Sequence, residues 1–338
     1  MLNSDLILLG AAGFTAALYR LFFKYFPAVL LDHPNQRSSH SVSRSRAGGL
    51  IFGIAWLAIA SFSLTAGFSL TGEYSGRIGP GISDAGNVGS WWLLVGAGII
   101  WLNGLLDDFL QVPAKYRIIG QALGVAAGIL GPEEFRQALH PFLLFLVWIG
   151  LVYFINVFNF MDGTDGLAGS QSVFIILAAF LIGVSGLAFQ ILAVTVAVFL
   201  FWNLPRARLF MGDSGSNLLG YVVGILLLQV FLVSPPLAFL LPLPFTVDTT
   251  LTLVIRIYRG QKFYEAHREH AYQHLAMRYG HFVLLGIFGT LNLALLVLAL
   301  WLTRSESLYL TVTLVFLCHM AAIWFFYTVG AGRPKADF

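Results

Sequence analysis

Long apolar runs alternate with short polar ones along this chain. Windows of about twenty mostly apolar residues, the length that crosses a hydrocarbon core of ~30 Å, recur near residues 5–23, 47–68, 91–106, 117–131, 141–158, 166–184, 187–203, 215–233, 237–255, 281–302 and 308–328. The pattern predicts an all-α, polytopic integral membrane protein with about eleven transmembrane helices, forming a single domain over 1–338. The first window has no basic start and no small-residue cleavage site after it, so it reads as a retained helix rather than a signal peptide.

Composition agrees: 58% of the residues are hydrophobic and 10% are charged, against roughly a quarter charged in an average soluble domain. Orientation follows from the basic residues if the helices simply alternate. Sixteen of the nineteen Lys and Arg fall on one side, and only Arg77, Arg136 and Arg304 fall on the other. The crowded side is therefore cytoplasmic, with the N-terminus outside and the C-terminus inside. The net charge of +3 calls for no nucleic-acid partner, because this bias and anionic lipid account for it. The lone cysteine, Cys318, allows no intrachain disulfide and reads as a packing residue.

Five polar islands interrupt the apolar pattern, near 24–46, 107–117, 156–166, 204–217 and 256–280, and the topology places all five on the cytoplasmic side. The first contains Asp32, Asn35, Arg37 and His40, then Arg44, Arg46 and the pair Gly48-Gly49. Arg and His at a membrane surface can donate to phosphate, although a basic topology anchor has the same composition. The second holds Asp107-Asp108 with Lys115 and Arg117. Adjacent carboxylates at a helix end need a counter-charge or a raised pKa, and either suits metal binding or proton transfer. A solvated helix end is the plain alternative.

The third island is the richest: Asn156, Asn159, Asp162 and Asp165, with Gly163 and Gly166. An Asn three residues before an Asp can share its helical face, and carboxylate and amide oxygens are the hard ligands that Mg²⁺ prefers. A Gly-rich break between helices is the structural alternative. The fourth runs from Arg208 through Phe210, Gly212 and Asp213 to Asn217, where Asp213 or Ser214 also suits a helix N-cap. The fifth is His267-Arg268-Glu269-His270 with His274. On a helix its three histidines share one face, and donation to phosphate is a better use for them than zinc, since no H-E-x-x-H and no cysteine accompany them. Apart from these islands, Asp248 is an acid within an apolar window, which marks either function or a hydrogen bond to a nearby Thr or helix.

Hard oxygens, cationic clamps and a site where cytoplasm meets bilayer suit phosphoryl transfer between a water-soluble nucleotide and a lipid, where neutralising like charges is most of the task. A transporter or lipid flippase would also carry internal acids. Transporters, however, bind near the midplane and show repeat symmetry, and neither feature is evident here.

The motifs D-x-P-N-x-R-x-x-H, D-D with K-x-R-x-x-G-Q, N-x-x-N-F-M-D-G-x-D-G-L-A, F-M-G-D-S-G-S and the His-rich loop, in this order, resemble the polyprenyl-phosphate N-acetylhexosamine-1-phosphate transferases. That family includes the phospho-MurNAc-pentapeptide translocase, the GlcNAc-1-phosphate transferases and enzymes that initiate O-antigen chains. The resemblance implies transfer of sugar-1-phosphate from a UDP-N-acetylhexosamine to undecaprenyl phosphate, with release of UMP and with Mg²⁺ as cofactor, Mn²⁺ being a substitute. It implies metal-site roles for Asp213 and Asn159. Asp107 and Asp108 become the pair that orients or deprotonates the lipid phosphate, which makes them catalytic together with Asp213. Asp162, Asp165 and Phe210 fall in the nucleotide region, and His267, Arg268, His270 and His274 near the sugar diphosphate; Arg37, His40, Lys115, Arg117 and Asn156 complete the substrate-binding set. Ser43 and Ser45 replace prolines common in the family, and the interrupted histidines tilt toward an enzyme initiating a surface polysaccharide such as O-antigen. The resemblance also implies a bacterial inner membrane, and a homodimer is compatible with the sequence, which sets no oligomeric state.

Overall fold

The computed structural model describes residues 3–32, 43–70, 73–74, 87–262 and 267–334. Among them, eleven helices of fifteen residues or more follow one another: α1 (Ser4–Tyr25), α2 (Gly48–Thr65), α3 (Asn87–Leu110), α4 (Ala114–Leu130), α6 (Pro141–Met161), α7 (Leu167–Leu181), α8 (Leu187–Asn203), α9 (Asp213–Val233), α11 (Leu243–Tyr258), α12 (Ala271–Leu302) and α13 (Leu308–Val329). Two six-residue helices, α5 (Glu133–Ala138) and α10 (Pro235–Leu240), precede α6 and α11. The chain is an all-α membrane protein, and seven of the helices (α1, α2, α3, α6, α9, α12 and α13) are long and apolar enough to cross a bilayer.

Each apolar window becomes a helix, with two revisions. The window 237–255 is broken between α10 and α11, where Pro242 and Pro244 interrupt the run; proline ends one helix and starts the next more readily than it continues either. The window 281–302 extends ten residues toward the N-terminus as α12, with a break at Gly280 (φ +83°). His267 and His270 thus precede α12, so the three histidines do not share a helical face.

The centre of the bundle is α9, whose residues from Ser214 through Val230 are all buried. It packs against α2, α3, α6, α7 and α10. Such a helix is apolar on every side, as a core helix must be. The periphery is the reverse: along α13, Phe316, Leu317, Trp324 and Tyr327 are exposed, which only a hydrocarbon environment makes favourable. Tyr258 and Tyr309, at opposite ends of the bundle, are 88% and 90% exposed, as interfacial aromatic belts are.

Short backbone ladders tie the loops together. Strands β1 (Leu31–Asp32) and β2 (Arg44–Ser45) pair antiparallel, and β3 (Glu73–Tyr74) pairs with β4 (Val184–Ser185). From β2 the chain continues along the segment before α9: the Phe210 N–H donates to Ser45 O at 2.8 Å, Gly48 N–H to Phe210 O at 2.9 Å and Gly49 N–H to Met211 O at 2.7 Å. The first and fourth islands are therefore stitched through backbone. Gly49 makes the join possible, because a Cβ there would overlap the backbone N and Cα of Gly215.

Gly49→Val is expected to destabilise the protein by about 1–3 kcal/mol or more through overpacking, read as a lower Tm in detergent. Gly98→Ala, where an added methyl meets open space, should leave Tm unchanged or raise it; equal effects of the two would contradict the packing described.

Candidate active site

Four of the five islands meet at one end of the bundle, and the described end of the first is stitched to the fourth there. The C-terminal turns of α3 and α6 and the N-termini of α4, α9 and α12 converge there, as strict alternation of the long helices requires. Asp108, in the last turn of α3, turns both carboxylate oxygens to the start of α9: Oδ1 accepts from the Asp213 N–H at 2.7 Å and Oδ2 from the Ser214 N–H at 3.0 Å. The residue at the N-cap position of α9 is Gly212 (φ +77°), which has no side chain to cap with. Asp108 supplies that cap from another helix. A Cβ at position 212 would press on the same carboxylate and on Arg46 O, so the left-handed glycine and the distant aspartate belong to one arrangement.

Capped in this way, α9 presents Asp213 to the C-terminal end of α6. Asn159 Nδ2 donates to Asp213 Oδ1 in a short hydrogen bond and to Ser216 Oγ at 3.1 Å. Asp107 meets Asp213 side chain to side chain and accepts from Arg117 of α4 at 2.6 Å. Asn156, one turn before Asn159, donates to Gln121 Oε1 at 2.8 Å. Asp162 follows the last turn of α6. Burial holds its carboxyl well above the usual range, the nearby Asp213 and Asp108 charges add to this, and Arg46 offsets part of it.

The other wall comes from α12. Its first residues are fixed by Asp248 of α11, whose Oδ1 accepts from Ala271 N–H at 2.9 Å and Oδ2 from Tyr272 N–H at 2.8 Å. The Tyr272 hydroxyl donates to Phe160 O at 2.8 Å. The His267 and His270 rings lie 4.8 Å apart. Burial, followed by His270 and Arg256, lowers the His267 pKa to about 3, so this imidazole is neutral at pH 7 and offers one donor and one acceptor.

Between these walls lies a cavity of about 600 Å³. Arg117, Asn156, Asn159, Asp162, His267, His270, Tyr272 and Gln273 form its polar side, and Ile118, Tyr153, Phe160, Leu253 and Ile257 its apolar side. Tyr153 also lines a larger, almost wholly apolar groove of about 870 Å³ along α6, α9, α11 and α13.

Other residues singled out in the sequence stand apart from the cavity lining. The exposed Lys115 lies with its ammonium 4.7 Å from the Tyr116 ring centre. Asp165 accepts from Ala207 N–H at 3.1 Å and pairs with His281 at 3.2 Å. Burial alone would raise its pKa, but His281, Ala207 and Arg44 together hold it below the ordinary value, so Asp165 fastens loops. Phe210 contributes backbone pairing, its ring 6.0 Å from the Arg44 guanidinium. Arg268 is an electrostatic neighbour of Tyr272, and His274 turns toward the Arg333 backbone. Arg37 and His40 lie outside the described residues. Sequence reasoning overlooked Tyr272 and Gln273, although they sit between His270 and His274, and it overlooked His281 and Asn203. Asn203, the polar end of α8, accepts from Gly166 N–H and donates to Leu209 O.

Residues 90–231 match the model of glycosyl transferase family 4, a stretch that includes Asp107, Asp108, Asn159, Asp162 and Asp213. A probable undecaprenyl-phosphate N-acetylglucosaminyl 1-phosphate transferase of Bacillus subtilis is 30% identical over 275 residues, covering 74% of this chain and 70% of the relative. The chain belongs to this family. It is a phosphoglycosyltransferase of the polyprenyl-phosphate GlcNAc-1-phosphate transferase type. An undecaprenyl-phosphate α-N-acetylglucosaminyl 1-phosphate transferase of Escherichia coli K12 is 28% identical over 302 residues, 80% of this chain and 76% of its own. One from Thermotoga maritima is 37% identical over 125 residues, 36% and 39% of the two chains. For a phosphoglycosyltransferase the convergence of Asp107, Asn159, Asp162 and Asp213 beside Arg117 is the part of the molecule suited to phosphate chemistry.

Removing the cap and removing the acid at the α9 terminus should differ in stability. Asp108→Ala leaves two backbone N–H groups without their acceptor and is expected to cost about 1–2 kcal/mol, seen as a lower Tm. Asp213→Asn takes one negative charge out of a crowded cluster and should leave Tm unchanged or higher. The reverse order would contradict the capping role.

Proposed function

We propose that this enzyme transfers N-acetylglucosamine-1-phosphate from UDP-N-acetylglucosamine to undecaprenyl phosphate, releasing UMP, and that it begins a lipid-linked surface polysaccharide such as O-antigen. The observation that carries this reading is the junction at Tyr153, where a cavity edged by Arg117, Asn159, Asp162 and His270 meets an apolar groove. A polyprenyl phosphate has the matching form: its apolar tail would lie in the groove with the phosphate head at the Tyr153 junction, which leaves the α12 side of the cavity, with His267 and His270, to the sugar diphosphate of the donor. The names of the relatives support both the acceptor and the transferred sugar.

In the reaction an oxygen of the lipid phosphate forms a bond to the phosphorus attached to the sugar. The bond from that phosphorus to the bridging oxygen breaks, and its electron pair leaves with UMP. The nucleophile is already largely ionised at pH 7, since a phosphate monoester has its second pKa near ~6. No side chain has to remove a proton, and the protein's task is positioning and charge neutralisation. Arg117, oriented by Asp107, offers donors to one phosphate. His270 approaches from the opposite wall, and the neutral His267 adds a hydrogen bond without adding charge. Asp108 acts through Asp213 and is a positioning residue.

The donor set also suits Mg²⁺. Among the described residues no three His, Cys, Asp or Glu are grouped to hold a metal by themselves, but Mg²⁺ commonly takes one or two carboxylates and fills its octahedron with water and substrate phosphate oxygens. Asp213 and Asp107 would supply the carboxylates, with Asn159 beside them. Bound there, the cation would supply charge neutralisation for the phosphates. With sixteen of nineteen basic residues on the side that carries the islands, the active site faces the cytoplasm, the N-terminus lies outside and the C-terminus inside.

Purified protein given undecaprenyl phosphate, Mg²⁺ and a panel of UDP-sugars should release UMP, with UDP-N-acetylglucosamine the preferred donor. Asp213→Asn should lower turnover by a factor of about 10² or more while leaving the fold intact. No UMP from any donor, together with vectorial uptake by vesicles carrying the protein, would instead establish a transporter.

A further inference from the structure

Asp248 is fully buried within α11, just ahead of the fifth island and outside the motifs that carry the chemistry. A carboxylate in such a place is costly unless its oxygens are satisfied, and here they are. Beyond the two backbone N–H groups at the start of α12, Asp248 Oδ1 lies 3.3 Å from the hydroxyl of Thr252, which donates to it. A negative charge at the first turn of a helix is also favoured by the helix dipole. The start of α12 is thereby fixed by an acid from α11, much as the start of α9 is fixed by Asp108.

What α12 presents at that point is part of the cavity. His270, Tyr272 and Gln273 all line it, and they span the first turn that Asp248 holds. His270 Nδ1 lies 3.8 Å from Asp248 Oδ1, so the same carboxylate limits how far the imidazole can turn. The ring is stacked on either side, 6.1 Å from Phe160 and 5.7 Å from Tyr272. From Tyr272 the connection runs through its hydroxyl to Phe160 O, two residues before Asp162. A displacement of the α12 terminus is thus transmitted directly to the wall opposite Arg117. The apolar groove is lined by other residues of α11, among them Val247, Thr250 and Leu251, and none of these interactions reaches it.

We infer that Asp248 is a positioning residue for the nucleotide-sugar side of the site, acting through the first turn of α12. The inference rests on the donor reading given above. It follows that loss of Asp248 weakens use of the UDP-sugar and spares use of the lipid acceptor. A residue that only held the bundle together would impair both.

The test combines local hydrogen exchange with kinetics in Asp248→Asn and Asp248→Ala. The Asn variant keeps one carbonyl acceptor for two N–H groups and is the milder change. Tyr272→Phe, which removes the hydroxyl's bonds to Phe160 O and to the Gly163 backbone, probes the same connection without touching the buried acid. Amides of 267–276 should exchange faster in Asp248→Asn and faster still in Asp248→Ala, with α9 unchanged. The KM for UDP-N-acetylglucosamine should rise about tenfold in Asp248→Asn and rise also in Tyr272→Phe, and the KM for undecaprenyl phosphate should stay at the wild-type value. Unchanged local exchange would overturn the anchor while leaving the donor reading intact. Parallel increases in both KM values, or a fall in kcat alone, would overturn the specific role. Silence of the wild-type enzyme toward every UDP-sugar would overturn the donor reading, and with it this inference.

Discussion

Two backbone hydrogen bonds at the head of α9 hold the site together. A helix buried along nearly its whole length cannot leave its first N–H groups to water, and each one left unpaired costs about 1–3 kcal/mol. The chain at that point offers only Gly212, so the acceptors come from Asp108, on a helix more than a hundred residues earlier. Once this carboxylate is committed to the Asp213 and Ser214 N–H groups, the direction of Asp213 is set. Its side chain meets Asn159 of α6 and Asp107 of α3, which ties three helices at one point. The close approach of Gly49 to Gly215 then brings the first island against the same terminus.

The arrangement concentrates negative charge. Asp107, Asp108, Asp162 and Asp213 lie together, and the cations that bear on them among the described residues are Arg117, paired with Asp107, and Arg46, paired with Asp32. Burial makes such crowding expensive, and the strongly raised pKa of Asp162 reflects it. The Mg²⁺ of the proposed reaction would offset this charge. The same field would repel a phosphate until that cation is present. The α12 wall, by contrast, lines the cavity with the neutral His267, His270, Tyr272 and Gln273 and with no carboxylate, so the two sides of the cavity differ in charge.

Much of this was legible from apolar periodicity, because helix length and lipid exposure depend on local composition. The eleven windows became eleven long helices, and their alternation correctly gathered the chemistry-bearing ends. What sequence could not supply was the identity of the partners. Asp107 and Asp108 are neighbours in the chain with the same side chain, yet one orients Arg117 and the other caps a helix, a division that depends on where α4 and α9 pack. Asp165 looked like a companion of Asp162, but its ties to His281 and Ala207 turn it to loop fastening. The spacing of His267, His270 and His274 suggested a helical face. The helix instead starts at Ala271, where Asp248 meets its first N–H groups, and that contact joins residues more than twenty positions apart. Hydrophobicity alone predicts one span over 237–255, and Pro242 and Pro244 divide it.

The central claim is that Asp108 serves the reaction by placing Asp213, so the two act as one unit. A double-mutant cycle on UMP release, with Asp108→Asn, Asp213→Asn and the pair, measures this most directly. If Asp108 works through Asp213, the double variant should be scarcely slower than Asp213→Asn alone, giving a large coupling energy. Losses that simply multiply would contradict the account and give Asp108 a separate part in the chemistry.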